Sequence, residues 1–284
     1  GAAVPRGHRL LGIDVSEAKG ESYDQAFAVA RRAGLQFASL SVAWDDLESR
    51  PGEFTPDPNW LAVADSFYGA KGIPLALTLS PVDTNRVRMP KDLGERRFDD
   101  PEVISRFERL LDYVFTQLED VDLAVLAIGN EVDVTLGAEA SSWDAYRRFF
   151  EATAAHARAL RAGVPVGVKL TFSGLTAASR DPARALNGSA DIILVTYYPL
   201  FTDFSVRRPD VVASDFKALT GLYPSRPIGF LEAGYPSSER LGSSEALQAE
   251  FVRATFRAWD AHLSQIMLLN FTWLTDAPSS TVSS

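Results

Sequence analysis

Short apolar runs alternate along this chain with longer segments in which apolar residues recur every three or four positions. The runs at 10–16, 37–44, 73–79, 123–130, 164–172, 191–198, 227–232 and 266–273 are too short and too β-branched for buried helices, and predict strands covered on both faces. Between them, residues 23–33, 60–70, 101–119, 143–162, 182–186, 210–222 and 244–262 carry the helical period. Punctuation agrees with this division. Gly34 closes the first helix, and Asp100 followed by Pro101 marks the start of the third. Residues 45–58 and 80–100 read as long polar loops, the second carrying Arg86, Arg88, Arg96 and Arg97.

Strands that alternate with helices imply a parallel sheet with right-handed crossovers, and eight of them predict a closed (β/α)8 TIM barrel. A chain of 284 residues, 46% hydrophobic, is the size such a barrel needs as a single catalytic domain spanning 1–284. After Trp273 the sequence Ala277-Pro278-Ser279-Ser280-Thr281-Val282-Ser283-Ser284 leaves no room for an eighth outer helix, so the expectation is a barrel whose last helix is missing or truncated.

Charge narrows the partners. A net charge of -9 disfavours nucleic acid and anionic membrane, and a neutral substrate fits better. No apolar run is long enough to span a bilayer. The chain has no cysteine, which removes disulfides, thiol nucleophiles and thiolate metal sites. The opening Gly1-Ala2-Ala3-Val4-Pro5-Arg6-Gly7 is small-residue sequence of the kind a cleaved signal peptide leaves, so a secreted or periplasmic monomer is expected.

In parallel α/β folds the ligand lies at the carboxyl ends of the strands. The run 123–130 ends in Asn130 and Glu131, and the run 227–232 ends in Glu232. If both are barrel strands, the two glutamates face one pocket. The other polar and aromatic residues at predicted strand ends are Asp14, Trp44, Asp83, Asp133, Tyr197, Tyr198, Tyr235, Trp273 and Asp276. None of the three histidines, His8, His156 and His262, falls there, and no phosphate-binding glycine loop or nucleophile elbow is present. Paired carboxylates with aromatic platforms suit glycoside hydrolysis, in which one carboxyl delivers a proton and the other attacks the anomeric carbon or steadies its charge. This chemistry calls for no cofactor and no metal. The rivals are a carbohydrate-binding barrel without catalysis, and a carboxylate-bound Mg2+ enzyme using Asp14, Asp83 and Glu131.

The pattern Gly129-Asn130-Glu131 closing the fourth strand, with Leu231-Glu232 closing the seventh, resembles the clan A glycoside hydrolases. That resemblance implies a retaining mechanism with Glu131 as acid/base and Glu232 as nucleophile, and carboxyl groups about 5 to 5.5 Å apart. It also implies that Asn130 binds the hydroxyl beside the anomeric carbon, that Trp273 floors the cleaved sugar's subsite, and that Tyr197 or Tyr198 lies near the nucleophile. Asp14, Trp44 and Tyr235 complete the expected substrate-binding set.

Within the clan, Gly129-Asn130-Glu131-Val132, Tyr197-Tyr198-Pro199 and Glu232-Ala233-Gly234-Tyr235-Pro236-Ser237-Ser238 are similar to endo-β-1,3-glucanase motifs. Gly12-Ile13-Asp14-Val15-Ser16 is similar to endo-β-1,4-galactanases, and Trp44, Glu48 and Pro51-Gly52-Glu53-Phe54 to exo-acting members. One departure stands out. Many clan members carry an arginine on the second strand that bonds the nucleophile, and Ala38-Ser39-Leu40-Ser41-Val42 has none; Arg86, Arg88, or tyrosine and amide donors are the available substitutes.

Overall fold

The computed structural model describes residues 4–177 and 179–275. Asp276 and the tail from Ala277 to Ser284 lie outside them, as do Gly1, Ala2 and Ala3. Numbered in chain order, the strands that follow the predicted alternation are β1 (Leu10–Ile13), β2 (Ala38–Ala43), β3 (Leu75–Asp83), β4 (Leu123–Asn130), β5 (Val166–Gly167 and, past Val168, Lys169–Thr171), β6 (Ile193–Tyr197), β7 (Ile228–Ala233) and β8 (Ile266–Phe271). The helices between them are α1 (Tyr23–Ala33), α2 (Trp60–Gly69), α3 (Pro101–Gln117), α4 (Ala140–Leu160), α5 (Arg180–Leu186), α6 (Val211–Leu222) and α7 (Glu245–Ala261).

Local chemistry sets these boundaries. Ser22 and Gln25 form a reciprocal capping box at the start of α1, and Gly34 ends it in the left-handed conformation at φ 108. Asp100 accepts from the Glu102 amide at the start of α3, with Pro101 in the first turn, where its missing N–H costs nothing. Ser244 caps α7 through the Leu247 amide.

The chain forms two compact units, residues 37–194 and residues 1–36 with 195–284. In the first, β2, β3 and β4 pair in parallel, and β4 continues in parallel to the opening segment of β5. Strand β3 is buried along almost its whole length, which is why its sequence is continuously apolar. It runs past the expected end at Leu79 because Val82 and Asp83 pair antiparallel with Val87 and Arg86 in a tight hairpin. Residues 45–58, expected as a loop, hold a short helix (Trp44–Leu47) and a hairpin of Glu48–Arg50 with Glu53–Phe54. Pro51 and Gly52 turn that hairpin, Gly52 at φ 75. An aromatic cluster of Phe98, Phe107, Tyr146 and Phe149 packs beneath these strands, joined by Trp44 edge-on to Phe107.

In the second unit β1 and β7 flank β8 in parallel, with Leu10 level with Leu268 and Ile228 with Ile266. Its core is a second aromatic stack of Tyr197, Phe216, Phe230, Tyr235 and Phe251. Arg9 lies over the Trp259 ring at 4.6 Å and pairs with Asp260, tying the entry to β1 to the end of α7.

Candidate functional site

The carboxyl end of β4 is built by two departures from regular strand geometry. Gly129 has φ 98, and a Cβ there would sit 2.2 Å from the Tyr146 hydroxyl and 2.5 Å from Val132 Cγ1, so only glycine fits. Glu131 follows at φ 46, a left-handed conformation uncommon outside glycine and asparagine. The first lets the chain pass under Tyr146, whose hydroxyl donates to Ile128 O at 2.9 Å. The second turns the glutamate off the strand and into the short helix Val132–Leu136. Gly129→Ala is expected to destabilise the fold by about 3 kcal/mol, the sum of overpacking and left-handed strain, read as a lower urea midpoint with unchanged slope.

Around Glu131 the first unit gathers a polar network. Thr84 Oγ1 donates to Glu131 Oε2 at 2.8 Å, and Asn130 Nδ2 donates to Asp83 Oδ1 at 2.8 Å. The Asn130 amide could not be turned over, because its oxygen would then face the Asp83 carboxylate. Asn130 Oδ1 is buried with no partner among the described residues, an acceptor suited to a ligand hydroxyl. Asp133 is a strut. Its two oxygens take the Thr171 amide and hydroxyl, tying the Glu131 turn to the end of β5. Burial pushes its carboxyl above the ordinary value against the pull of those hydrogen bonds.

The carboxyl end of β7 lies in the other unit. Glu232 Oε2 accepts from the Tyr198 hydroxyl at 2.7 Å, which leaves Tyr198 to accept from Thr272 Oγ1 at 3.0 Å. Burial first, and then the charge of Glu232, push the Tyr198 phenol far above its usual range, so it remains a proton donor. Gly234 makes room for that ring: a Cβ there would stand 2.4 Å from Tyr198 Cε1. Asp14 accepts from Asn270 Nδ2 at 2.7 Å, and the same amide nitrogen also reaches Leu231 O. Ser22, not Asp14, caps α1. Trp273 is 60% exposed on a left-handed backbone at φ 62. It is held there because Leu274 N donates to Asp14 O and Thr275 exchanges hydrogen bonds with Ser16.

Three residues of the expected substrate-binding set lie in the core. Trp44 is 0% exposed, with its indole N–H on Glu48 Oε2 at 2.7 Å, because the short helix after β2 turns it into the core. Tyr197, also 0% exposed, points away from Tyr198 as strand alternation requires, and its hydroxyl donates to Asp215, which Arg207 also holds. Tyr235 is 5% exposed, stacks on Phe251 and gives its hydroxyl to Arg207 O. Arg88, a candidate donor to Glu232, is spent on Asp45 and Asp46, while Tyr198 donates to Glu232. Arg96 and Arg97 pair with Asp100, Glu102 and Asp99 on the surface. Among the described residues no three His, Asp or Glu side chains cluster as a metal site would require.

Thr84, Thr171, Asn270 and Thr272 were not singled out from the sequence. Asn270 alone left a signal, as an amide inside the apolar run Ile266-Met267-Leu268-Leu269 and Phe271.

Strands in parallel, helices between them and polar residues at the strands' carboxyl ends define an α/β fold of parallel sheets. No family model matches the chain, and no curated protein matches its sequence. Solved structures do. An exo-β-1,4-mannosidase from Opitutaceae bacterium strain TAV5 superposes on 95% of this chain with a TM-score of 0.74 at 16% identity, and the chain spans 52% of that protein's length. The GH53 catalytic domain of Ignisphaera aggregans matches 95% of the chain at a TM-score of 0.73 and 17% identity, with 85% of its own length covered. A GH5_18 protein from Bifidobacterium longum subsp. longum matches 96% at 0.74 and 14% identity, with 71% covered. These neighbours are clan A glycoside hydrolases, and what this chain shares with them is the (β/α)8 barrel fold.

Proposed function

We propose that this protein is a retaining glycoside hydrolase acting on β-linked oligo- or polysaccharides. The observation that carries the reading is the glutamate at the carboxyl end of β4, lifted off the strand by left-handed backbone at φ 46 and held by a hydroxyl, directly after an asparagine with an unused buried acceptor. A second glutamate, Glu232, closes β7 in the grip of a tyrosine. In this reading Glu131 is the acid/base and Glu232 the nucleophile.

In the first half-reaction a Glu232 carboxylate oxygen bonds to the anomeric carbon as the glycosidic C–O bond breaks. The departing oxygen takes the Glu131 proton and leaves as an alcohol. In the second, Glu131 as carboxylate takes a proton from water, whose oxygen bonds the anomeric carbon and frees Glu232. Two inversions give net retention. Asn130 Oδ1 would receive a sugar hydroxyl, Asp14 a second, and Trp273 would cover an apolar sugar face. We propose that it cuts within chains.

The test is a panel of β-1,3-glucan, β-1,4-galactan, xylan, β-mannan and aryl β-glycosides with product sizes resolved. The mannosidase among the structural neighbours is the reason for including mannan. Cleavage with a spread of oligosaccharides is expected. Single-sugar release would replace the endo assignment, and binding without cleavage would favour a carbohydrate-binding barrel.

A further inference from the structure

Thr84 follows the end of β3 at φ 53, and a β-branched residue at positive φ is a strained outlier that persists only where its surroundings impose it. Here they do. The Thr84 amide donates to Asn130 O at 2.9 Å, and Thr135 Oγ1 donates to Thr84 O at 2.8 Å, so both sides of the residue are clamped to the turn that carries Glu131. The hydroxyl has one proton to give, and it goes to Glu131 Oε2 at 2.8 Å. Its lone pairs face Asn130 Nδ2 at 3.5 Å. The two neighbouring carboxylates in this unit are engaged elsewhere, Asp83 by Asn130 and Asp133 by Thr171. A strained threonine is thus kept in place with its single proton aimed at one carboxyl oxygen.

We infer that Thr84 is a positioning residue for Glu131, fixing the carboxyl's rotation and reserving Oε2 as acceptor so that Oε1 carries the proton given to the leaving group. This rests on the glycosidase reading above. While the hydroxyl donates to Oε2, that oxygen is the poorer seat for the carboxyl's proton. The acid is therefore presented on the opposite oxygen, and loss of the hydroxyl removes that bias. In the first half-reaction, which kcat/KM reports, the loss is felt only where the leaving group needs a proton.

The experiment compares Thr84→Val, Thr84→Ala and Thr84→Ser with the parent and with Glu131→Gln, on an unactivated oligosaccharide and on the dinitrophenyl glycoside of the same sugar, whose leaving group departs without protonation. Thr84→Val and Thr84→Ala are expected to lose roughly 10- to 100-fold in kcat/KM on the oligosaccharide, part of what a general acid supplies, and less than about 3-fold in kcat/KM on the dinitrophenyl glycoside. Thr84→Ser, which keeps the donor, should recover the oligosaccharide rate. The alanine variant serves where valine does not fold. Unchanged oligosaccharide turnover in a folded Thr84→Ala, or equal losses on both substrates, overturns the inference while Glu131→Gln still upholds the glycosidase reading. Full turnover by Glu131→Gln overturns that reading and the inference with it.

Discussion

Glu232→Gln should lower kcat by roughly four orders of magnitude on every substrate the parent cleaves, the scale of loss when a catalytic nucleophile is removed. An amide is nearly the same size as the carboxylate and still accepts the Tyr198 hydrogen bond, so substrate affinity and the folded structure should change little. An amide oxygen is, however, a poor nucleophile toward an anomeric carbon. The loss should be equally severe on dinitrophenyl glycosides, because the nucleophile is needed whatever group leaves. That separates it from Glu131→Gln, whose defect in kcat/KM should shrink as the leaving group improves. Initial rates on both substrate types, with affinity measured by calorimetry, make the comparison. A Glu232→Gln protein with parental rates would remove Glu232 from the chemistry.

The second large effect concerns stability. Arg106 on α3 is buried, and its guanidinium donates to Glu48 Oε1 through Nε at 3.1 Å and Nη2 at 2.8 Å and also pairs with Asp92. Burial works against its charge, but the hydrogen bonds and charges of Asp92 and Glu48 outweigh it and push the guanidinium pKa up. Glu48 is satisfied in full, taking the Gly52 amide on Oε1 and the Trp44 indole N–H on Oε2. Arg106→Ala leaves that buried carboxylate without its counter-charge and should cost about 3 to 5 kcal/mol. At about 2 to 4 °C per kcal/mol for a domain of this size, that is a drop of about 6 to 20 °C in melting temperature. Pairing the change with Glu48→Gln should recover part of the loss, because the stranded charge is gone, although the amide's one oxygen can accept from Gly52 or from Trp44 and not from both. Equal destabilisation in the single and double variants would mean that packing, and not the stranded charge, sets the cost.

This network shows where sequence reading reached its limit. Trp44 reads as a substrate contact because a tryptophan at a strand's end is ambiguous: outward it is a platform, inward it is core. The deciding partner, Arg106, lies 58 residues from Glu48 in the chain. Tyr197 and Tyr198 posed a milder version of the same problem. Alternation demands that they point to opposite sides, but which one meets Glu232 is settled by Gly234, whose missing Cβ admits the Tyr198 ring.

The strands and helices themselves were legible, because buried parallel strands write continuous apolar runs and amphipathic helices write a helical period. Ends were less so: β3 outruns its apolar segment through a hairpin that hydrogen bonding, not hydrophobicity, defines. The placement of Asn130, Glu131 and Glu232 at strand ends could also be anticipated. Thr84 could not, since its part comes from backbone strain and from a hydrogen bond to a residue 47 positions away.

The central claim is tested most directly by trapping. A 2-deoxy-2-fluoro β-glycoside with a dinitrophenyl leaving group slows both half-reactions at the anomeric carbon, yet still allows the first. Mass spectrometry of the inactivated protein and its peptides should find one sugar, ester-linked to Glu232, with Glu131 unlabelled. A label on any other residue, or turnover that releases the inverted anomer, would contradict the account.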